Sequence, residues 1–459
     1  MSSATRISVI GAGSAIFSLG LVRDLCLTDS LSGSEICFMD VDSVRLETVH
    51  NLATRYAAEL GSNLIFETTM NRQTALQGAE FVINTAYVQG HQRERELREA
   101  TTRHGYFYGG VSLGDFHQFR LMLAVANDME RICPDAWLIQ SANPVFEGST
   151  LMMRETNVKV CGLCHGHHGV WEICQTLGID PAEVTWQAPG LNHNIWLTEF
   201  RYRGDDAYPL LDKWAEEKGV EYWSNHLATG THDIQMSRAA FHQYHMFGRF
   251  PIGDTVRWSG WWYSTDIDTK KRWFGNPWGG PDTNLARPIY VQNLEECTAR
   301  MKALADDNSA SLVSEFVEER TIEQQIPIID ALVNDNAGHF QVNVPNNGAI
   351  TGVPDDVAVE IPAVIDRSGI SPKPFSSLPR KVMLERILPN WLEMERSLHA
   401  FKTGDLSVLL WGALESHQTN SYGQAVGALE DLLGMEQSSE LADHYLLPSG
   451  LELSEDRQV

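Results

Sequence analysis

Two cysteines and three histidines, Cys161, Cys164, His165, His167 and His168, fall within residues 160–169, VCGLCHGHHG. Thiols and imidazoles at this density can attach haem, hold a structural zinc, or form part of a catalytic metal site. Cys161 to His165 has the C-x-x-C-H spacing of haem attachment. That chemistry belongs to an exported, oxidising setting. The start of the chain, MSSATRISVIGAG, has no basic stretch followed by a long apolar core, so a cytoplasmic location is expected. A zinc knuckle needs a second pair of ligands, and no second C-x-x-C occurs. On a strand Cys161 and Cys164 point to opposite faces, which places Cys161 in the core and Cys164 at the strand end. GLNHNIW then supplies His193, flanked by Asn192 and Trp196. One Cys and one His from separate segments make an incomplete ligand set, which substrate oxygens or water complete in a catalytic site. Core or loop histidines are the plain alternative.

A second chemical signal is GAGSAI, residues 11–16. It begins the G-x-G-x-x-G dinucleotide fingerprint, with Ile16 in place of the third glycine. Gly11 and Gly13 provide the tight turn and the close approach to a pyrophosphate, and Ser14 opens the helix whose N-terminus faces it. Asp40 ends the next strand, SEICFMDVD, where an acidic residue holds the ribose hydroxyls and favours NAD.

These residues need a frame. Strand-like runs alternate with helical ones from RISVI to VKVCG, and each polar cluster lies at the C-terminal end of a strand. That argues for an α/β fold: a Rossmann-like parallel sheet over residues 1–185, then a larger α+β domain over 186–459. The later part is rich in aromatics, as in RFPIGDTVRWSGWWYSTDIDTKKRWFGNPW, with a long helix at about 290–320 and a helical region at about 375–435. Seven scattered cysteines in 459 residues read as reduced thiols. No run of 18 apolar residues predicts a membrane span. Lys+Arg 35 against Asp+Glu 60 gives a net charge of -25, which disfavours nucleic acid and means that an anionic substrate needs a local basic pocket.

GAGS, PDAWLIQSANPV, CHGHHG, GLNHNIW and VNVPNNGAITGVPDDVAVEIPAV occur in the order seen in glycoside hydrolase family 4. The chain resembles these NAD- and metal-dependent glycosidases to about residue 435. C-H-G-H is closer to the uronic-acid-acting members (α-galacturonidases) than to the phospho-glucosidases. A related family with the same redox mechanism acts on sulfoquinovosides. The resemblance implies oxidation of the sugar 3-hydroxyl by NAD, loss of the acidified C2 proton, elimination at C1, addition of water and re-reduction. The net reaction is hydrolysis of an α-glycoside.

Carried over, Cys164 and His193 are the metal ligands, with Mn²⁺ the implied ion. Asn143 contacts the sugar and the nicotinamide, and Asn192 the sugar. His165 stands where some relatives have an aspartic general acid. For the C2 base the segment offers Tyr244, Asp254 and Tyr263; Asp254, in a GD pair, is preferred, and then Tyr244. SLGDFHQF, residues 112–119, replaces a Gly-Pro-Gly-Gly turn of relatives, so substrate preference should differ. Arg249, Arg257, Lys270, Lys271 and Arg272 are available to an acidic group at C6, carboxylate or sulfonate. Family members are commonly dimers or tetramers, so a homodimer or homotetramer is expected. The alternatives are a malate- or lactate-type NAD dehydrogenase, which would accumulate NADH without a metal, and a non-catalytic NAD sensor.

Overall fold

The computed structural model describes residues 4–88, 90–107, 111–258, 260–316, 319–435, 440–449 and 453, apart from the side chains of residues 15–17. Six strands lead: β1 (Arg6–Ile10), β2 (Glu35–Met39), β3 (Ile65–Thr69), β4 (Phe81–Asn84), β5 (Trp137–Gln140) and β6 (Lys159–Gly162). They pair in parallel in the order β3-β2-β1-β4-β5-β6. In this doubly wound order ligands bind beyond the carboxyl ends of the strands. RISVI, EICFM and FVIN are nearly continuous apolar runs with buried interiors, because helices cover both faces of a parallel sheet. One such helix, Ser43–Glu59, is started by Asp42, whose carboxylate accepts the N–H groups of Val44 and Arg45. A cap of this kind contributes about 1 kcal/mol.

The later strands are β7 (Val184–Gln187), β8 (Gly190–Leu191), β9 (Asn194–Leu197), β10 (Glu199–Tyr202), β11 (Asp205–Asp206), β12 (Phe250–Ile252), β13 (Gly338–Pro345), β14 (Ala358–Asp366) and β15 (Gly369–Pro372). β13 adds antiparallel to β6, and the sheet continues through β14, β8, β9 and β12. With β15 on β14 it has 12 strands, while β7, β10 and β11 form a small separate sheet. The expected order of a parallel Rossmann-like sheet followed by a mixed α and β half is observed. The sheet itself crosses the 185/186 boundary, so main-chain pairing joins the two halves. The expected helix at about 290–320 is Ala286–Asp306, followed by a short turn of helix at Leu312–Glu315.

Strand β9 divides two hydrophobic cores. Trp196 packs into the large core of the parallel sheet, whereas Ile195 and Leu197 belong to a second cluster with Phe241, Phe250 and Tyr263. Alternate side chains of one strand serve opposite sides. Each fully buried side chain of this size contributes about 1.5–3 kcal/mol, so the strand and the hairpin ahead of it are held firmly. Among the described residues no helix is long and apolar enough to cross a membrane.

Candidate active site

At the end of β1 the chain turns through Gly11, whose φ is +85°. A Cβ there would stand 2.5 Å from the backbone N and Cα of Ala86, so only glycine lets the β1 and β4 ends approach. The Gly11 and Ala12 N–H groups donate to the Met39 carbonyl, and Gly13 N–H donates to Asp40 Oδ2 at 2.7 Å. Asp40 thus braces the turn and retains lone pairs for other donors. The helix that follows, Ala15–Cys26, has no side-chain cap from Ser14 and no acidic residue in its first turn. Its unclaimed N–H groups and positive dipole end suit a pyrophosphate. The Ile16 side chain lies outside the described residues. Beyond β5, Asn143 is exposed and makes no side-chain hydrogen bond among the described residues.

Cys161 is buried in β6, and Cys164 lies past its end. His193 is in the two-residue turn joining β8 to β9 and holds φ +60°. That conformation costs a non-glycine residue about 1–3 kcal/mol and persists where the surroundings impose it. Here β9 is anchored by Thr255, whose hydroxyl accepts from Ile195 N–H at 2.8 Å and donates to Ile195 O at 3.0 Å. Gly253 and Gly166 touch backbone to backbone; a Cβ on Gly253 would meet Gly166 Cα at 2.5 Å. This contact delivers Asp254 to the Cys164 loop.

Five side chains are gathered there as a result, in overlapping pairs. His193 Nε2 lies 3.2 Å from Asp254 Oδ2. The Asn192 amide donates to Glu360 Oε2 at 3.0 Å and to the Cys164 sulfur. Burial pushes the Cys164 thiol up to about 12, with the Glu360 and Asp254 charges adding to it. Burial lowers His193, against the pull of Asp254. Neutral imidazole and thiol, with a carboxylate beside them, take up a divalent cation with release of the thiol proton. These ligand types suit a first-row metal, but among the described residues the ligand atoms of Cys164, His193 and Asp254 do not all lie within 4.8 Å of one another.

Asp254 belongs to a chain of ion pairs. Arg257 donates from Nε to Asp254 Oδ1 at 2.7 Å, from Nη2 to Oδ2 at 2.9 Å, and from Nη1 to Asp282 Oδ2 at 2.6 Å. Arg98 meets the other Asp282 oxygen at 3.3 Å and also pairs with Glu94, which pairs with Arg287. Burial would raise the Asp254 carboxyl, but Arg257 and then His193 hold it well below the usual range. Lys270 is only 3% exposed, its ammonium makes no hydrogen bond among the described residues, and burial lowers it to about 8 against the pull of Asp282.

Two other expected residues lie elsewhere. Tyr244 stacks on Tyr208 at 5.3 Å and hydrogen-bonds Asp212, in the second core. Arg249 stands over Tyr208 and donates to Gly248 O. No contact of either with Cys164 or His193 appears among the described residues. His165 Nδ1 pairs with Glu323 Oε1 at 2.9 Å, which raises the imidazole against burial. Trp258, Trp261 and Trp262 of the aromatic insertion are exposed.

Sequence reasoning passed over Glu360, Glu323, Asp282 and Arg98. Glu360 is 1% exposed on β14, and burial raises it to about 7. A signal was present: one carboxylate within the apolar run AVEIPAV must have a partner or a purpose. The others are exposed-looking charges whose partners lie far along the chain.

A family model described as "Family 4 glycosyl hydrolase" matches residues 6–179, and its C-terminal domain matches residues 188–419. The chain belongs to glycosyl hydrolase family 4. It is 29% identical to an alpha-galactosidase of Bacillus subtilis over 82% of this chain and 85% of the relative. To an alpha-galacturonidase of Lachnoclostridium phytofermentans it is 26% identical, over 89% of this chain and 90% of the relative. A 6-phospho-alpha-glucosidase from gut microorganisms, solved in complex with NAD and Mn2+, shares the fold with a TM-score of 0.76 at 16% identity, covering 95% of this chain and 98% of that one. This membership places the protein among glycosidases.

Proposed function

We propose that this family 4 protein is an NAD- and divalent-metal-dependent glycosidase acting on α-glycosides that carry an anion at C6. The observation behind this reading is that His193 meets Asp254 and that Cys164, just past the end of β6, lies within reach of the Asp254 charge, beyond the same sheet edge as the Gly11–Gly13 turn. When bound, NAD supplies a hydride acceptor and donor for carbon 3, and a cation held by Cys164 and His193 supplies positive charge for the neighbouring sugar oxygens. The protein's own groups do the rest. Gly11, Gly13, Ser14 and Asp40 seat the dinucleotide, Asn143 holds sugar hydroxyls, and Asn192, whose amide N–H groups go to Glu360 and Cys164, has only its oxygen to offer one. By position Asp254 is the acceptor for the carbon-2 proton, which an adjacent ketone acidifies enough for a weak base. Arg257 keeps it ionised. His165, kept protonated by Glu323, donates to the leaving oxygen.

The C6 anion is supported by local charge. Arg98, Arg257, Lys270 and Arg287 stand against Glu94, Asp254 and Asp282, four cations to three carboxylates in a chain of net charge -25. Arg257 is committed to its two carboxylates, so Lys270 is the cation with donors to spare. The alpha-galactosidase relative keeps a neutral hexoside as the second reading.

The test is release of aglycone from aryl α-glucoside, galactoside, galacturonide, glucuronide and sulfoquinovoside, with and without NAD⁺, Mn²⁺ and reductant. Hydrolysis of a C6-anionic member that needs both cofactors and leaves no net NADH is the expected result. Cleavage without NAD⁺, or stoichiometric NADH without cleavage, would overturn the mechanism. Cleavage of the neutral galactoside alone would overturn the C6 assignment.

A further inference from the structure

The loop after β6 carries a second group of ligand-type side chains. His165 precedes and His168 ends the 3₁₀ turn Gly166–His168, in which residues three apart stand on one side. His165 Nδ1 is 2.9 Å from Glu323 Oε1, and one ligand atom from each of His165, His168 and Glu323 lies within 4.8 Å of the others. His168 Nε2 is buried with no hydrogen-bond partner among the described residues. The hydrogen bond from its ring to the Ile322 backbone therefore falls to Nδ1. An imidazole that gives its Nδ1–H to a carbonyl keeps a lone pair on Nε2, the usual arrangement of a metal-binding histidine. Left unmatched, a buried acceptor costs about 1–3 kcal/mol. The third histidine of the loop is occupied otherwise: His167 Nδ1 contacts the Cys164 carbonyl at 3.2 Å, and its ring packs against Trp171 and Trp186.

We propose that His165, His168 and Glu323 form a second divalent-cation site, separate from the Cys164–His193 pair and suited to an ion of the zinc type. Two imidazoles and a carboxylate are a familiar set for zinc with one position left open. Ligands at about 2.1 Å from an ion must lie within about 4.2 Å of one another, so a small rotation of His165, 59% exposed, closes the set. Glu323 is steadied from behind, its N–H donating to Thr321 Oγ1 at 3.1 Å. Ligation through Nδ1 displaces the proton that Glu323 holds on His165, so an ion in this site and the proton-donor role exclude each other. The inference does not depend on the proposed substrate.

Equilibrium dialysis of the full chain against Zn²⁺, followed by elemental analysis, tests it. Wild type should hold two ions. His168→Gln and Glu323→Gln should each hold one, and Cys164→Ser/His193→Gln should also hold one. Bound Co²⁺ should retain visible absorption in the Cys164→Ser/His193→Gln protein and lose it on adding Glu323→Gln. A Glu323→Gln protein that holds as many ions as wild type would refute the site. Should His168→Gln fail to fold by circular dichroism, the near-isosteric Glu323→Gln decides.

Discussion

Replacing Arg257 by Met removes the cation that sets the geometry around Asp254. The guanidinium is 14% exposed and makes three short contacts, at 2.7 and 2.9 Å to Asp254 and 2.6 Å to Asp282. Without it Asp254 keeps His193 at 3.2 Å, and Asp282 keeps Arg98 at 3.3 Å. Removing one partner from a buried ion pair costs about 3–5 kcal/mol, and the surviving contacts put the expected loss at the lower end, about 3 kcal/mol. The sign with pH follows from the carboxyls. In wild type both are held below the unfolded value of about 3.9, so their contribution is complete above that pH and is lost only as pH falls through the lowered folded values. In Arg257→Met burial dominates instead, and the folded carboxyls rise above the unfolded value. The variant then takes up protons on mild acidification, and its deficit shrinks from pH 8 to pH 5. Urea unfolding of the metal-free proteins, followed by tryptophan fluorescence at several pH values, measures this. A deficit below about 1 kcal/mol at pH 8, or one that grows toward pH 5, would refute the account of Arg257 as a buried counter-ion.

Gly11→Ala should weaken NADH binding at least about tenfold, because a Cβ clashes with Ala86 at 2.5 Å; unchanged affinity by fluorescence titration would count against the turn as the dinucleotide seat. Glu360→Gln should stabilise the metal-free protein by about 1–3 kcal/mol at pH 8 and little at pH 4.5. The folded carboxyl is raised to about 7, so the native state loses stability as pH rises through that window, and melts that show an equal gain at both pH values would contradict it. Lys270→Met should raise KM for a C6-anionic glycoside about tenfold or more and leave KM for its neutral counterpart nearly unchanged; parallel changes in both would exclude charge recognition by Lys270. Cys164→Ser should lower Mn²⁺ affinity while NADH binding persists, which calorimetry with each separately can decide.

What could be read before folding was local. A β-branched run followed by Gly-x-Gly states its own turn, since positive φ and close approach demand glycine. Alternation along a strand likewise separated buried Cys161 from Cys164 at the strand end. Charged side chains carry no such local mark. Arg249 and Arg257 look alike in sequence, yet one stands over Tyr208 and the other bridges Asp254 and Asp282. Tyr244 has the residue type of a base, but its helix turns it into the second core. Glu360 meets Asn192 across 168 residues, and Arg98 meets Asp282 across 184. The sequence by itself determined the sheet, the dinucleotide turn and the ligand types, because backbone sterics and side-chain alternation act over a few residues. Which carboxylate is ionised, which cation is spent and which imidazole is left unmatched were decided only when distant strands shared one low-dielectric interior. There the nearest opposite charge, and not the residue type, sets the chemistry.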